Sequence, residues 1–140
     1  MTNKTTKPTS RRKFMSKVSK GALAAGMITG IKATPIEKKG MFIHHVYFWL
    51  KKPGDKADTS KLIEGLRKLS KVKTIQQFSI GVPANTPREV VDNSYAISWL
   101  CFFKNGKDQG SYQVDPIHLK FVEDYAHLWE KVIVYDTVDA

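Results

Sequence analysis

Residues 111–129 read SYQVDPIHLKFVEDYAHLW, and this stretch determines how the second half of the chain folds. Asp115 offers a side-chain acceptor to the unpaired N–H groups of a first helical turn. Pro116 suits the first helical position, because its missing N–H is not needed there. The pair therefore predicts a helix that begins at Pro116. Apolar and aromatic residues then recur at three- and four-residue spacing, which predicts one buried stripe. The members of that stripe are His118, Phe121, Val122, Tyr125, Leu128 and Trp129.

The same stretch contains the pair of side chains best suited to chemistry, Tyr112 and His118. Tyr112 precedes the Asp-Pro joint, and a chain folded back at that joint brings its phenol towards the imidazole of His118. A neutral imidazole can take a proton beside a carbonyl, and a phenol can donate to the enolate oxygen that forms. A hydrogen-bonded core histidine and a packing tyrosine are the alternatives, and the residues alone leave both open.

Residues 1–33 differ from the rest of the chain and are predicted to be a leader. They contain eight of the 23 basic residues and none of the 13 acidic ones. The remaining chain therefore carries 15 basic against 13 acidic residues, a formal net charge of +2 instead of +10. Because the basic excess belongs to the leader, we expect no nucleic-acid partner for the folded part.

The leader resembles a bacterial twin-arginine export signal. Its paired Arg11 and Arg12 are followed by Phe14 and by an apolar run over residues 21–31. That run is too short and too rich in glycine to cross a bilayer as a stable helix, but it suits the apolar part of a signal. The resemblance implies a twin-arginine signal peptide over residues 1–33, contact with the twin-arginine export machinery and a periplasmic or otherwise exported protein. A basic tail on a cytoplasmic protein is the alternative.

Residues 34–140 are predicted to form one domain of alternating strands and helices. The predicted elements are strand 41–50, a helix from residue 59 or 60, strand 74–81, a loop over 82–93, strand 94–104, a short helix 108–114, the helix from Pro116, and strand 131–138. This order predicts an α+β fold, the ferredoxin-like βαββαβ arrangement, with an antiparallel sheet and both helical layers on one face.

Strands 41–50 and 94–104 are predicted to be apolar on both faces, so both faces of the sheet need to be covered. In strand 41–50, successive side chains point to opposite faces of the sheet. One face carries His45, Tyr47 and Trp49, and the other carries His44, Val46, Phe48 and Leu50. Because the helices cover one face only, the other must be covered from outside the monomer. We expect a homodimer through this sheet face, in which two sheets close into a barrel.

The chain from about Phe42 to Val138 resembles the stress-responsive dimeric A/B barrel, or Dabb, domain family. Three segments carry the resemblance: residues 45–48 (HVYF), Tyr112 with residues 116–118 (PIH) behind it, and residues 128–136 (LWEKVIVYD). The resemblance implies a dimeric α/β barrel over nearly the whole predicted domain.

Within that family the chain is similar to the olivetolic acid cyclase type of plant polyketide cyclase. The similarity implies a cavity between sheet and helices in which Tyr112 and His118 are catalytic and promote an aldol-type ring closure. It implies no metal and no organic cofactor, and it places a first-strand histidine, His45, at the pocket. The ligand-binding residues expected from it are His45, Tyr47, Trp49, Phe121 and Tyr125.

Two functions of different classes therefore stay open. The first is a site for a small apolar or carbonyl-containing molecule, either a binding site or a cofactor-independent acid/base lyase or cyclase. The second is a noncatalytic dimeric stress-response or scaffold protein with a closed core. No metal is expected, because His44 and His45 face opposite ways and no cysteine spacing is typical of zinc. The single Cys101 is predicted to be a small core residue.

Overall fold

The computed structural model describes residues 40–140, which contain four strands and three α-helices. In chain order these elements are β1 (Phe42–Leu50), α1 (Lys56–Leu69), β2 (Ile75–Gly81), β3 (Ile97–Phe103), α2 (Gly106–Gln113), α3 (Pro116–Tyr125) and β4 (Trp129–Val138). A short 3-10 helix, Ala126–Leu128, joins α3 to β4. The predicted leader and the predicted domain start at residue 34 lie outside the described residues.

The four strands form one antiparallel sheet in the order β2-β3-β1-β4. Strand β1 lies between β3 and β4, so the aromatic-rich segment 42–50 is central and pairs on both sides. Its register places His44 between Cys101 on β3 and Asp136 on β4. The predicted ferredoxin-like α+β fold is confirmed.

The start of α3 follows the local sequence. The side chain of Asp115 accepts a hydrogen bond from the backbone N–H of Ile117 at 2.8 Å, and Pro116 occupies the first helical turn. The predicted helix start is therefore confirmed. The predicted buried stripe is wrong at Val122, which is 40% exposed because it lies at the rim of a cavity. Trp129 begins β4 and pairs with Leu50, two residues before the predicted strand start.

The first helix begins earlier than predicted. Asp55 caps it by accepting from the backbone N–H of Asp58 at 2.9 Å, and its carbonyl accepts from Thr59 at 3.0 Å. The helix therefore starts at Lys56 and not at residue 59 or 60. Asp55 competes successfully with the later hydroxyl residues because a carboxylate cap also interacts favourably with the helix dipole.

The core lies between one face of the sheet and the three helices, so both helical layers cover the same face, as predicted. Leu62 and Leu66 of α1 have no exposed surface, and burying each contributes roughly 1.5–3 kcal/mol. They pack with alternate residues of β1 and β3 and with single residues of the later elements: Val46, Phe48, Leu50, Ile97, Trp99, Cys101, Phe103, Tyr112, Phe121 and Leu128. Cys101 is a buried core residue, as expected.

The opposite face of the sheet is not covered by any element within residues 40–140. It presents half-buried aromatic side chains of β1, among them Tyr47 and Trp49, beside the more exposed Tyr135 of β4. Tyr47 packs edge-on against Tyr95 and Tyr135 at ring-centroid distances of 4.9 and 6.0 Å. We call this surface the open sheet face. None of the helices in the described part of the chain has the length and hydropathy needed to cross a bilayer.

Candidate functional site

A cavity of about 150 Å³ lies between the helix-covered face of the sheet and the helices α2 and α3. Its polar lining consists of His44, Tyr112, Gln113 and His118. The rest of the lining is apolar or aromatic and includes Phe48, Trp99, Phe121, Trp129 and Val134. Among residues 40–140, no lysine or arginine lines this cavity. The cavity therefore combines a few polar groups with an uncharged apolar wall, as small-molecule sites commonly do.

The imidazole of His44 is fixed by a carboxylate on the neighbouring strand. Its Nδ1 lies 2.6 Å from Oδ1 of Asp136, and the residue is only 5% exposed. A carboxylate can only accept, so Nδ1 of His44 carries the proton. In the neutral ring Nε2 is then the nitrogen with a free lone pair. Asp136 therefore fixes the tautomer and the orientation of the ring, which is how a carboxylate orients a general base.

Tyr112 lies beside both histidines of the cavity. It faces the sheet from α2 with 1% of its surface exposed, and its ring centroid lies 5.7 Å from that of His44. The distance to the ring of His118 is 4.6 Å. Burial raises the pKa of the Tyr112 phenol, and a hydrogen bond from Trp99 opposes that rise. Tyr112 therefore stays protonated at neutral pH and can act as a donor.

The ring of His118 is fixed by the backbone at the junction of α2 and α3. Its Nδ1 donates to the carbonyl oxygen of Gln113 at 3.1 Å, which again leaves Nε2 as an acceptor in the neutral ring. Burial lowers the pKa of His118, and the neighbouring His44 lowers it further. The Gln113 carbonyl and Asp115 oppose this lowering. His118 is therefore held as a neutral hydrogen-bond acceptor near pH 7.

The structure brings Tyr112, His118 and Phe121 together, as the sequence predicted. Tyr125, the other predicted ligand contact on α3, lies elsewhere. It lines a groove between α1 and α3, where its hydroxyl accepts a hydrogen bond from Lys68 at 3.0 Å. The prediction that Tyr125 belongs to the cavity is wrong because the residue sits against Gly65 of α1 and not over the sheet.

His45, Tyr47 and Trp49 are not in the cavity, which corrects a second part of the predicted site. They lie on the open sheet face, because successive residues of β1 point to opposite sides and the cavity is on the side of His44. Tyr47 bonds to Nδ1 of His45 at 3.1 Å and, with Trp49, lines a separate depression of about 350 Å³. These aromatic rings therefore do not fill the cavity.

His44, Asp136 and Trp99 were not predicted as site residues, although all three belong to the site. The alternation of β1 had already placed His44 on the same face as Val46 and Phe48. Because both faces of β1 are apolar, it did not show that the helices cover this face, and the resemblance assigned the pocket to His45. Asp136 had no signal in the sequence, because its proximity to His44 depends on the register between β1 and β4. In residues 40–140, no three side chains of His, Cys, Asp or Glu cluster closely enough to hold a metal ion.

Sequence comparison identifies the family to which this fold belongs. The family model described as the Stress responsive A/B Barrel Domain, or Dabb, matches residues 43–139, which is more than half of the chain. The chain belongs to the Dabb family. The predicted family membership is thus confirmed. Among proteins of curated function, none matches the sequence.

Solved structures similar to this Dabb domain share its fold at low sequence identity. A Dabb family protein with a ferredoxin-like fold from Mesorhizobium loti is 23% identical with a TM-score of 0.61, over 73% of this chain and 99% of its own. Hydroxynitrile lyase from Passiflora edulis is 15% identical with a TM-score of 0.63, and the match covers 72% of this chain and 94% of the lyase. A dimeric protein of unknown function from Bacteroides fragilis is 19% identical with a TM-score of 0.57, and the match covers 72% of this chain and 98% of the Bacteroides protein.

Proposed function

We propose that this Dabb domain binds a small uncharged molecule in the cavity and moves a proton on it without a cofactor. The observation that carries the proposal is the buried His44, held by Asp136 at 2.6 Å and facing the same cavity as Tyr112 and His118. This arrangement supplies a base, a phenolic donor and a second neutral acceptor. Those are the groups that acid/base chemistry needs.

The lining indicates which molecules the cavity accepts. Because the described part of the chain contributes no lysine or arginine to the wall, an anionic group has no fixed cation there to replace its hydration, and its transfer into the cavity is costly. The apolar wall favours an aromatic or aliphatic body. A volume of about 150 Å³ limits the enclosed part of the ligand to a small group. A compact aldehyde, ketone or hydroxynitrile fits these requirements.

Cleavage of a hydroxynitrile is the reaction we favour within the lyase and cyclase alternatives. Nε2 of His44 takes the proton of the hydroxyl group, the bond to the nitrile carbon breaks, and its electron pair leaves with cyanide. The carbonyl oxygen that forms is held by the hydroxyl of Tyr112, and cyanide takes the proton from His44. This reaction transfers only protons and breaks one carbon–carbon bond, so it needs no oxidant, reductant or metal. The similarity in fold to a protein named hydroxynitrile lyase supports the choice of substrate class.

The test is turnover of racemic mandelonitrile, followed by the release of benzaldehyde. Removing a general base costs roughly 10²- to 10⁴-fold in rate, so we expect His44→Gln to lose activity to that extent. His118→Gln should weaken it too, because the imidazole Nε2 is removed from the cavity. The matched control is His127→Gln, since His127 is an exposed histidine outside the cavity. A wild-type domain with no turnover and no affinity for benzaldehyde would contradict the proposal.

A noncatalytic dimeric scaffold is the second candidate, and one observation favours it. Nδ1 of His118 is bonded to the backbone carbonyl of Gln113, so the imidazole links the end of α2 to the beginning of α3. In a scaffold, His118→Gln would lower the melting temperature and have no ligand to affect. An inactive wild type combined with a destabilised His118→Gln variant supports this candidate over the lyase.

We also propose that the domain forms its homodimer through the open sheet face. Similar proteins from Bacteroides fragilis and Thermobifida fusca are described as dimeric, which supports self-association of this fold. The aromatic side chains of the open sheet face, with Ile133 and Tyr135 of β4 beside them, offer an apolar surface that a twofold-related copy can cover.

Export by the twin-arginine route is a further proposal. It is supported by Arg11 and Arg12, by the apolar run over residues 21–31, and by the absence of acidic residues from the first 33. Fractionation of cells that express the full chain tests it. We expect the protein in the exported fraction, and Arg11→Lys combined with Arg12→Lys should retain it in the cytosol. Wild-type protein found only in the cytosol would contradict the proposal.

A further inference from the structure

The hydroxyl of Tyr112 has a hydrogen-bond partner in the sheet. The indole Nε1 of Trp99 on β3 lies 3.3 Å from the Tyr112 oxygen, and each of the two residues is only 1% exposed. Both line the cavity. The bond therefore connects the floor of the cavity with the phenol that we place next to the ligand.

The chemistry of the two groups fixes which of them donates. An indole N–H can only donate, so the Tyr112 oxygen is the acceptor in this bond. In the part of the chain that the structure describes, no other group bonds to this hydroxyl. A phenolic O–H lies close to the plane of its ring, in one of two directions. Because the N–H of Trp99 donates to this oxygen, the phenolic proton must point away from that N–H, and no acceptor within residues 40–140 is bonded to it.

We propose that Trp99 is a positioning residue that holds the Tyr112 hydroxyl as a hydrogen-bond donor to the ligand. This inference rests on the proposed function and deepens it, because it specifies that the ligand must present an acceptor atom to Tyr112. An aldehyde or ketone oxygen and the oxygen of a hydroxynitrile meet this requirement. A hydrocarbon of the same shape does not, and it leaves the buried proton unpaired.

The surroundings of Tyr112 agree with this role. Burial raises the pKa of the phenol, and the hydrogen bond from Trp99 acts in the opposite direction. The same N–H therefore stabilises negative charge that develops on the phenol oxygen as its proton is drawn towards the ligand. Trp99 contributes through Tyr112 and need not touch the ligand.

The experiment is a double-mutant cycle on the binding of benzaldehyde, with Trp99→Phe, Tyr112→Phe and the combination. One hydrogen bond contributes roughly two- to tenfold in affinity, so each single variant should weaken binding by about that factor. In the Tyr112→Phe background, Trp99→Phe should add almost nothing, because the group it positions is gone. The carbonyl stretch of bound benzaldehyde should move towards its non-hydrogen-bonded frequency in both single variants.

Trp129→Phe is the matched control, since Trp129 lines the same cavity but does not bond to Tyr112. Its effect on affinity should be independent of Tyr112→Phe, and the carbonyl frequency should stay as in the wild type. Should Trp99→Phe fail to fold, the indole N–H resonance of Trp99 provides a second measurement in a protein that keeps the tryptophan. Tyr112→Phe should move this resonance upfield.

The possible outcomes separate the inference from the proposed function. Binding that is weakened by Tyr112→Phe and unchanged by Trp99→Phe overturns the role of Trp99 and leaves the proposed site intact. Equal and additive losses from the two variants also overturn it, because they indicate packing only. A wild type that neither binds benzaldehyde nor cleaves mandelonitrile overturns both. An unmoved indole resonance in Tyr112→Phe overturns the hydrogen bond itself.

Discussion

Nδ1 of His44 and Oδ1 of Asp136 are 2.6 Å apart across the ladder between β1 and β4, although 92 residues separate them in the chain. The bond joins a buried imidazole to a carboxylate whose side chain is 42% exposed. It therefore runs from the interior of the cavity to the edge of the sheet. A change at Asp136 alters His44 without entering the cavity.

Asp136→Asn tests this relationship directly. The amide oxygen still accepts from Nδ1 of His44, so the fold should be kept and the free energy of unfolding should change by about 1 kcal/mol or less. The negative charge next to the imidazole is lost, so mandelonitrile turnover should fall by roughly 10²- to 10⁴-fold. Asp139→Asn is the control, because Asp139 lies just after the end of β4 and accepts from the backbone N–H of Gly40 instead of from His44. Equal activity in the two variants would contradict the role of Asp136.

The stability of the domain should depend on pH through His118. Its pKa is lowered by burial and by His44 on β1, while the Gln113 carbonyl and Asp115 oppose the shift. The unfolded chain, with a histidine pKa of about 6.5, therefore binds more protons than the folded one. Stability is fully present above pH 6.5 and is lost as the pH falls from there through the folded pKa.

His118→Gln should remove this part of the acid sensitivity. The measurement is the difference in melting temperature between pH 7.5 and pH 5, which should be smaller in His118→Gln than in the wild type. His127→Gln provides the comparison, since it removes an exposed histidine. His45, whose pKa is also lowered by burial, remains in both variants and cancels in the comparison. An unchanged pH difference in His118→Gln would show that the ring is not desolvated.

Much of the fold was predictable because its signals are local. The Asp115-Pro116 pair specifies a helix start within a few residues, and the alternation in β1 separates His44 from His45. The start of α1 was missed because Asp55 lies only four and five residues before the predicted start residues 59 and 60, and a carboxylate cap is favoured by the helix dipole. The element order follows once strands and helices are assigned, because few topologies accommodate it.

The site was predictable only in part, for a physical reason. Tyr112 and His118 are six residues apart and belong to one turn of the chain, so their proximity is a local property. The proximity of His44 to Asp136 depends on strand register, to which distant parts of the chain contribute. Both faces of β1 are apolar, so its own pattern does not tell which face the helices cover. Assigning the pocket to His45 in place of the adjacent His44 therefore put it on the opposite face of the sheet, because successive residues of a strand point to opposite sides.

Two adjacent residues of β4 provide a matched pair of substitutions that tests the proposed dimer interface. Tyr135 lies on the open sheet face and is 59% exposed, whereas Val134 faces the cavity side and is 45% exposed. We expect Tyr135→Lys to produce monomers at micromolar concentration, because it places a charge in the proposed interface. Val134→Lys should remain dimeric. Light scattering after size-exclusion chromatography measures both, and dimers of Tyr135→Lys together with monomers of Val134→Lys would assign the interface to the other face.

Two helical glycines should respond to alanine in opposite directions. A Cβ at Gly65 on α1 would lie 2.8 Å from the ring of Tyr125, so the close contact between α1 and α3 depends on the missing side chain. We expect Gly65→Ala to lower the free energy of unfolding by roughly 1–3 kcal/mol through overpacking. At Gly110 on α2 a Cβ meets nothing within 4 Å, and alanine should stabilise the helix by roughly 0.5–1 kcal/mol.

Urea unfolding of the two variants measures both effects, and each variant adds the same single methyl group. Because Gly110→Ala reports helix propensity alone, the difference between the variants isolates the steric contact at Tyr125. If both substitutions stabilise the domain to the same extent, Tyr125 moves aside without cost, and the contact between α1 and α3 is not tightly packed. If Gly65→Ala is the destabilising one, Tyr125 serves packing between the helices, consistent with its position outside the cavity.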